Sequence, residues 1–314
     1  MSNIDGDERI VEYLAAEGYH PRSPTHGSKQ CRYFLADMLG TSERMRAAAQ
    51  NGAIVFEEDY TVGEGQDRWN TDLVIGPPAA DDIQGPSDDA ALPIAEAEPE
   101  HIWLATDAKS VMTEHGKARR NRQRDINSFA DIMHTHHPGA ITGGLILINM
   151  AERFRSPLRD EGDVTQHDRI EQLVQETVEI FRTIDRAQGD VSPNVDAVAC
   201  VVVKHTNLDD GTETRLVTDP PAPQPGDIVR YEDVVELLVE TFEQRWLLGE
   251  PPEIAGPEDS DDLGVALDHA VVELAHRVKE LRDGIEAETV SDTQIEAVAG
   301  QLAELERLLD KIDE

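Results

Sequence analysis

Lysine is nearly missing from this chain. Six Lys stand beside 22 Arg in 314 residues, and these 28 bases face 64 acids, for a net charge of -36. Such a balance argues against a general polyanion binder, because the long-range field repels nucleic acid at ordinary ionic strength. Abundant carboxylates with few lysines make the surface expected of a protein that works in concentrated salt. There the carboxylates keep water and cations bound, and the Debye length contracts to a few Å. The plainer alternative is an acidic protein with disordered acidic tails. Acids spread along helices as well as linkers favour the halophilic reading. High salt also screens repulsion, so local contacts with nucleic acid stay open.

Cysteine is just as scarce. Cys31 and Cys200 are far apart and fit no disulfide or metal spacing, so each is expected as a small buried residue. Aromatics make up 4% of the chain. No apolar run approaches the roughly 18 residues that span a bilayer. The N-terminus, MSNIDGDERI, lacks a basic-then-apolar leader. The expectation is a soluble, cytoplasmic protein with no membrane partner.

What is present is an ordered set of periodic segments. Helices are expected over 8–20 and from about Ser28 to Leu39, the latter ended by Gly40, with Thr41-Ser42-Glu43-Arg44 capping a further turn. Strands are expected at Ala53–Tyr60, Thr71–Gly76 and Ile102–Thr106. Residues 77–101 carry seven acids and no base, and read as a solvated insertion. A helix from about Thr113 to Met133 would bury Ala118, Ile126, Phe129, Ala130 and Met133. Gly143–Asn149 is apolar enough for a strand buried on both faces. A helix over Val164–Ile184, a strand over Asp196–His205, its hairpin partner at Thr214–Thr218 and a helix from Tyr231 to Leu248 complete a domain of residues 1–249. A linker at 250–262 holds six acids and no base. Beyond it, at 263–314, two heptad seams begin at Leu267 and Ile295, which predicts a helical hairpin or coiled coil.

One stretch concentrates the chemistry. Asp107 and Lys109 follow at the end of the strand Ile102–Thr106, and side chains two apart in extended chain share a face. Five bases then fall within eight positions: Lys117, Arg119, Arg120, Arg122 and Arg124. Asp72 sits at the start of another strand. Two converging carboxylates suit a hard cation such as Mg²⁺, and a lysine beside them can orient water or stabilise charge on a phosphate. The basic run suits a DNA backbone, and Asn121 and Gln123 could add contacts. Glu114 and His115 are candidates for a second metal or a proton transfer, with helix capping as the alternative for Glu114. His134, His136 and His137 read as a helix-end cluster rather than a zinc site.

The order helix, strand, strand with Asp72, strand with Asp107-x-Lys109, helix, strand resembles the core of the PD-(D/E)xK nuclease superfamily, which includes many restriction endonucleases. The resemblance covers about residues 28 to 150. It implies an α/β restriction endonuclease-like core, a mixed central sheet flanked by helices. It also implies Asp72 and Asp107 as metal ligands, Lys109 as the catalytic lysine, Mg²⁺ (or Mn²⁺) as cofactor and DNA as substrate. Thr71 stands where the family often has proline. Many members add a glutamate from the first helix, for which Glu43, Glu57 and Glu58 are the candidates. Oligomeric state stays open, a homodimer being the option by which many such enzymes cut both strands. The competing functions are a DNA-binding or assembly protein of the same fold without catalysis, and a scaffold organised by the C-terminal hairpin.

Overall fold

The computed structural model describes residues 4–23, 25–63, 68–79, 92–160, 162–187 and 194–248. The chain divides into two units, Met1–Pro252 and Glu253–Glu314. The second unit, with the expected heptad helices and most of the acidic linker, lies outside the described residues, as do positions 80–91 of the insertion.

The first unit is an α/β fold. Helices α1 (Gly6–Glu17), α2 (Thr25–Thr41) and α3 (Glu43–Gln50) lead into strands β1 (Val55–Val62) and β2 (Trp69–Gly76). A two-residue strand, β3 (Ala95–Glu96), precedes β4 (Leu104–Val111), α4 (His115–His136) and β5 (Ile141–Asn149). A small hairpin follows, β6 (Arg153–Arg155) with β7 (Val164–Gln166), and then α5 (Ile170–Arg182), β8 (Ala197–Lys204), β9 (Arg215–Leu216) and α6 (Tyr231–Phe242). A π-helical turn, Glu243–Leu248, closes the unit. The main sheet has seven strands in the order β3-β1-β2-β4-β5-β8-β9. It is mixed: β4, β5 and β8 are parallel, while β1, β2 and β4 alternate as antiparallel neighbours. Helices α4 and α5 pack together on one face, and α2 and α6 on the other.

The core follows from the sequence pattern. All nine residues of β5 are buried, because helices cover both of its faces. Gly143 and Gly144 let those helices come close. A Cβ on Gly143 would meet Leu238 of α6 at 3.0 Å, and one on Gly144 would meet Ile126 of α4 at 3.0 Å. Ile126, Phe129, Ala130 and Met133 are the buried stripe of α4, with Ala118 packed at its margin. Ser42 caps α3 by accepting the Met45 N–H at 2.9 Å. Both cysteines are buried and unpaired by disulfide. No helix among the described residues is long and apolar enough to cross a membrane.

Several sequence expectations are corrected. Helix α2 begins at Thr25 and ends at Thr41, one residue past Gly40, which does not take the left-handed conformation that would end it there. The insertion at 77–101 is not wholly solvated. Leu92 and Ile94 are buried, and Ala95–Glu96 pairs in parallel with β1. The run Val164–Gln166 is a strand paired with β6, so the following helix begins only at Ile170. Strand β4 extends to Val111, which puts Asp107 and Lys109 inside the strand rather than beyond its end.

Candidate functional site

Strands β2 and β4 part at the site. Their antiparallel register pairs Ile75 with Leu104, Val74 with Ala105 and Leu73 with Thr106, then stops. One more step would place Asp72 opposite Asp107. There, side chains replace the main-chain ladder. The Thr71 hydroxyl donates to the Thr106 carbonyl at 2.9 Å, and the Ala108 N–H donates to Asp72 Oδ2 at 2.7 Å. Thr71 is fully buried and supplies a hydroxyl that proline could not.

Asp107 is the most deprived group in this fork. It is fully buried, and its Oδ2 lies 2.6 Å from Lys109 Nζ. Neither of its oxygens is hydrogen-bonded outside the cluster of Asp72, Asp107 and Lys109. Burial pushes its pKa up to about 7; Lys109 opposes the rise, and the neighbouring Asp72 carboxylate adds to it. Asp72 is raised as well, again first by burial, with the Ala108 N–H and Lys109 pulling the other way. Two acids and one lysine therefore share too little positive charge, and a cation or a proton must supply the rest.

Three neighbours could not be read from the sequence. The Lys109 ammonium lies 5.4 Å from the centre of the Trp69 ring, at cation–π range. Lys109 is thus held between an indole face and a carboxylate. Gly27, in the first turn of α2, faces Asp72 so closely that a Cβ there would land inside the carboxylate. Cys31, one turn further along α2, is fully buried. Burial, with the nearby Asp72 carboxylate, holds its thiol well above the usual range, so it is an unreactive small residue.

The expected third acid is not where it was sought. Glu43 is exposed in the first turn of α3. Glu58 lies 3.0 Å from Arg32, and Glu57 feels chiefly burial and the charges of Glu98 and Glu96. Among the described residues, no group of three or more His, Cys, Asp or Glu side chains is placed to hold a metal ion. The acid that the fold does bring across from Asp72 is Asp59. The β1–β2 register runs Glu58–Leu73, then Tyr60–Thr71, and skips the pair between them. Asp59 adopts φ 52°, a left-handed conformation that turns it out of the ladder, and its charge adds to the rise at Asp72.

The other candidates sort by their partners. Lys117, Arg120 and Arg124 are exposed on α4, whereas Arg119 and Arg122 are ion-paired with Glu176 and Asp125, each at 2.6 Å. The basic run is therefore not five unpaired charges. Glu114 occupies the N-cap position with φ 49° but makes no capping bond; it pairs with Arg159 at 3.2 Å. His115 is buried, and its Nε2–H donates to the Asn149 carbonyl at 2.7 Å. Burial pushes its pKa down to about 4, which makes it a neutral strut. His134 Nε2–H donates to the Asn194 carbonyl at 3.1 Å, and α4 ends at His136, as a helix-end cluster should. Two cavities, of about 190 and 550 Å³, lie elsewhere, beside Tyr231 and beside Arg182.

Comparison with protein-family models, with curated proteins and with solved structures returned no match to this chain.

Two substitutions probe the site's geometry. Gly27→Ala should displace the Asp72 carboxylate and lower stability by about 1–3 kcal/mol, the usual cost of overpacking, while weakening divalent-cation binding. Calorimetric titration beside a thermal melt checks both. An unchanged cation affinity would show that Asp72 does not bind the ion. Trp69→Leu should release the lysine at a cost of about 0.5–2 kcal/mol, read by urea unfolding.

Proposed function

We propose that this chain is a metal-dependent endonuclease with a restriction endonuclease-like core, hydrolysing phosphodiester bonds in DNA. The observation that carries the reading is the forked strand pair, with Asp72 opposite Asp107 and Lys109 on the same strand. The donor set fits a hard divalent cation. It comprises two carboxylates, one fully buried and without outside hydrogen bonds, and both with pKa raised by burial. Mg²⁺ characteristically uses one or two carboxylates and completes its shell with water and substrate phosphate. Asp72 and Asp107 would hold it, and when bound it supplies Lewis acidity and a more acidic water. Lys109, held by Asp107 and Trp69, presents its ammonium where a phosphate oxygen gains charge, and can hold the attacking water in place. The buried Asp107 keeps this centre out of the high dielectric of bulk water, where such charges act weakly.

The acidic, lysine-poor surface supports activity in concentrated salt. A second reading also has an observation behind it. With no group of three or more His, Cys, Asp or Glu side chains placed to hold a metal among the described residues, a DNA-binding or assembly protein that keeps the fold without cleaving is the alternative. Incubation of plasmid DNA with the full chain in high-salt buffer, with Mg²⁺, Mn²⁺ or chelator, separates them. Nicking that requires the metal supports the nuclease. Binding without product in either metal supports the alternative.

A further inference from the structure

We propose that the outward face of α4, formed by Lys117, Arg120 and Arg124, is the surface that grips the nucleic-acid phosphate backbone. The inference rests on the nucleic-acid substrate proposed above and deepens it, assigning docking to three bases and giving the others a different task.

The argument starts from charge. From His115 to Ala130 the chain has five bases and one acid, inside a protein of net charge -36. That one acid, Asp125, is tied to Arg122 at 2.6 Å. Arg119 reaches across to Glu176 of α5 at 2.6 Å. Arg119 thus ties α4 to α5, while Arg122 is neutralised within α4 itself. Lys117, Arg120 and Arg124 are exposed and have no ion pair among the described residues. Four arginines of this unit, Arg9, Arg32, Arg182 and Arg230, each meet two carboxylates; Arg22, Arg169 and Arg215 are exposed as the α4 bases are, but stand apart from one another along the chain.

Helical geometry makes the three one feature. Spacings of three and four residues, at about 100° each, place them within about 60° of one another. That direction is opposite Ile126, Phe129 and Met133, which are buried. Asn121 and Ser128 are exposed beside them. Like charges at these spacings repel and destabilise a helix, so the row has no structural use of its own. A polyanion removes the repulsion. From Lys117 to Arg124 the helix rises by about 10 Å, which matches about three phosphates of one strand at roughly 3.4 Å of axis each. The place fits too. Helix α4 opens just past the end of β4, in whose middle Asp107 and Lys109 lie. Contacts of this kind position a backbone and carry no sequence information.

The test is fluorescence anisotropy of a short labelled DNA duplex, and of a single-stranded RNA of the same length, with the full chain in EDTA across a KCl series. Three phosphate contacts predict a slope of log K against log salt of about -2.7 on duplex. The combined variant Lys117→Gln, Arg120→Gln, Arg124→Gln should lose most of that slope and bind at least about tenfold more weakly at the lowest salt. Circular dichroism confirms that it folds. Arg119→Gln should leave the slope as it was. A comparable loss on RNA would show that the face reads the backbone of either polymer. No binding by the native chain, or an unchanged slope in the triple variant, overturns the proposal. Cleavage is scored separately in Mg²⁺. Binding with the expected slope but no cleavage keeps this surface and removes the nuclease reading; cleavage with an unchanged slope in the triple variant does the reverse.

Discussion

Replacing Lys109 by methionine is expected to lower metal-dependent cleavage at least about a hundredfold, the range that a positioned acid–base or electrostatic group contributes. The structure adds a second effect. Lys109 is the cation beside a fully buried Asp107, and removing one partner of a buried ion pair typically costs about 3–5 kcal/mol. The loss should be smaller here at neutral pH, because Asp107 already takes up a proton near pH 7 and can neutralise itself. Lys109→Arg then separates the roles. It keeps a cation for Asp107 and should recover stability, but its guanidinium is planar and does not release a proton, so cleavage stays low. Single-turnover plasmid cleavage in high-salt Mg²⁺ buffer, beside urea unfolding of each variant, reads both quantities. Cleavage by Lys109→Met at the native rate would sink the catalytic assignment.

The metal-free protein should become less stable, relative to Asp107→Asn, as pH rises from about 4 to about 7. The sign follows from the direction of the shift. Asp107 holds its proton up to about pH 7 in the folded chain, against an ordinary 3.8. The folded state therefore binds more protons than the unfolded one in that window, and stability falls as the proton is lost. A shift of about three units corresponds to at most about 4 kcal/mol at about 1.36 kcal/mol per unit. Asp72 is shifted in the same direction, again first by burial, and adjoining carboxylates release their protons in successive steps that belong to the pair. Asparagine at position 107 cannot ionise, which makes the difference between the two proteins the useful measurement. Urea unfolding in EDTA at several pH values should show the asparagine variant gaining on the native chain. Mg²⁺ should then stabilise the native protein alone, because a cation that binds only the folded state shifts the equilibrium by mass action. A pH-independent difference, or equal stabilisation of both proteins, would remove Asp107 from the cation site.

Much of the fold was legible in advance because its elements are long and strongly patterned. The continuous apolar run at 143–149 and the stripe from Ile126 to Met133 needed no partner to be recognised. The errors fall where a local rule met tertiary packing. Gly40 reads as a helix stop, and α2 runs one residue past it, to Thr41, with Met38 and Leu39 buried in its last turn. Val164–Gln166 reads as the start of a helix, yet it pairs with β6. The short apolar piece around Ile94 was obscured by the acids flanking it.

The site divides in the same way. Residue types and order alone singled out Asp72, Asp107 and Lys109, because a strand places alternate residues on one face and metal chemistry calls for carboxylates. They also marked α4 as unusually basic. Only the tertiary structure decided how these groups meet. The fork between β2 and β4 brings Asp72 to the Ala108 N–H. Trp69 and Gly27 reach the site from elsewhere in the sequence, since packing between strands and helices obeys no spacing along the chain. Which bases stay exposed on α4 likewise depended on Glu176, on another helix. Composition sets how much charge a surface carries. The partner across the gap sets which of those charges remain available.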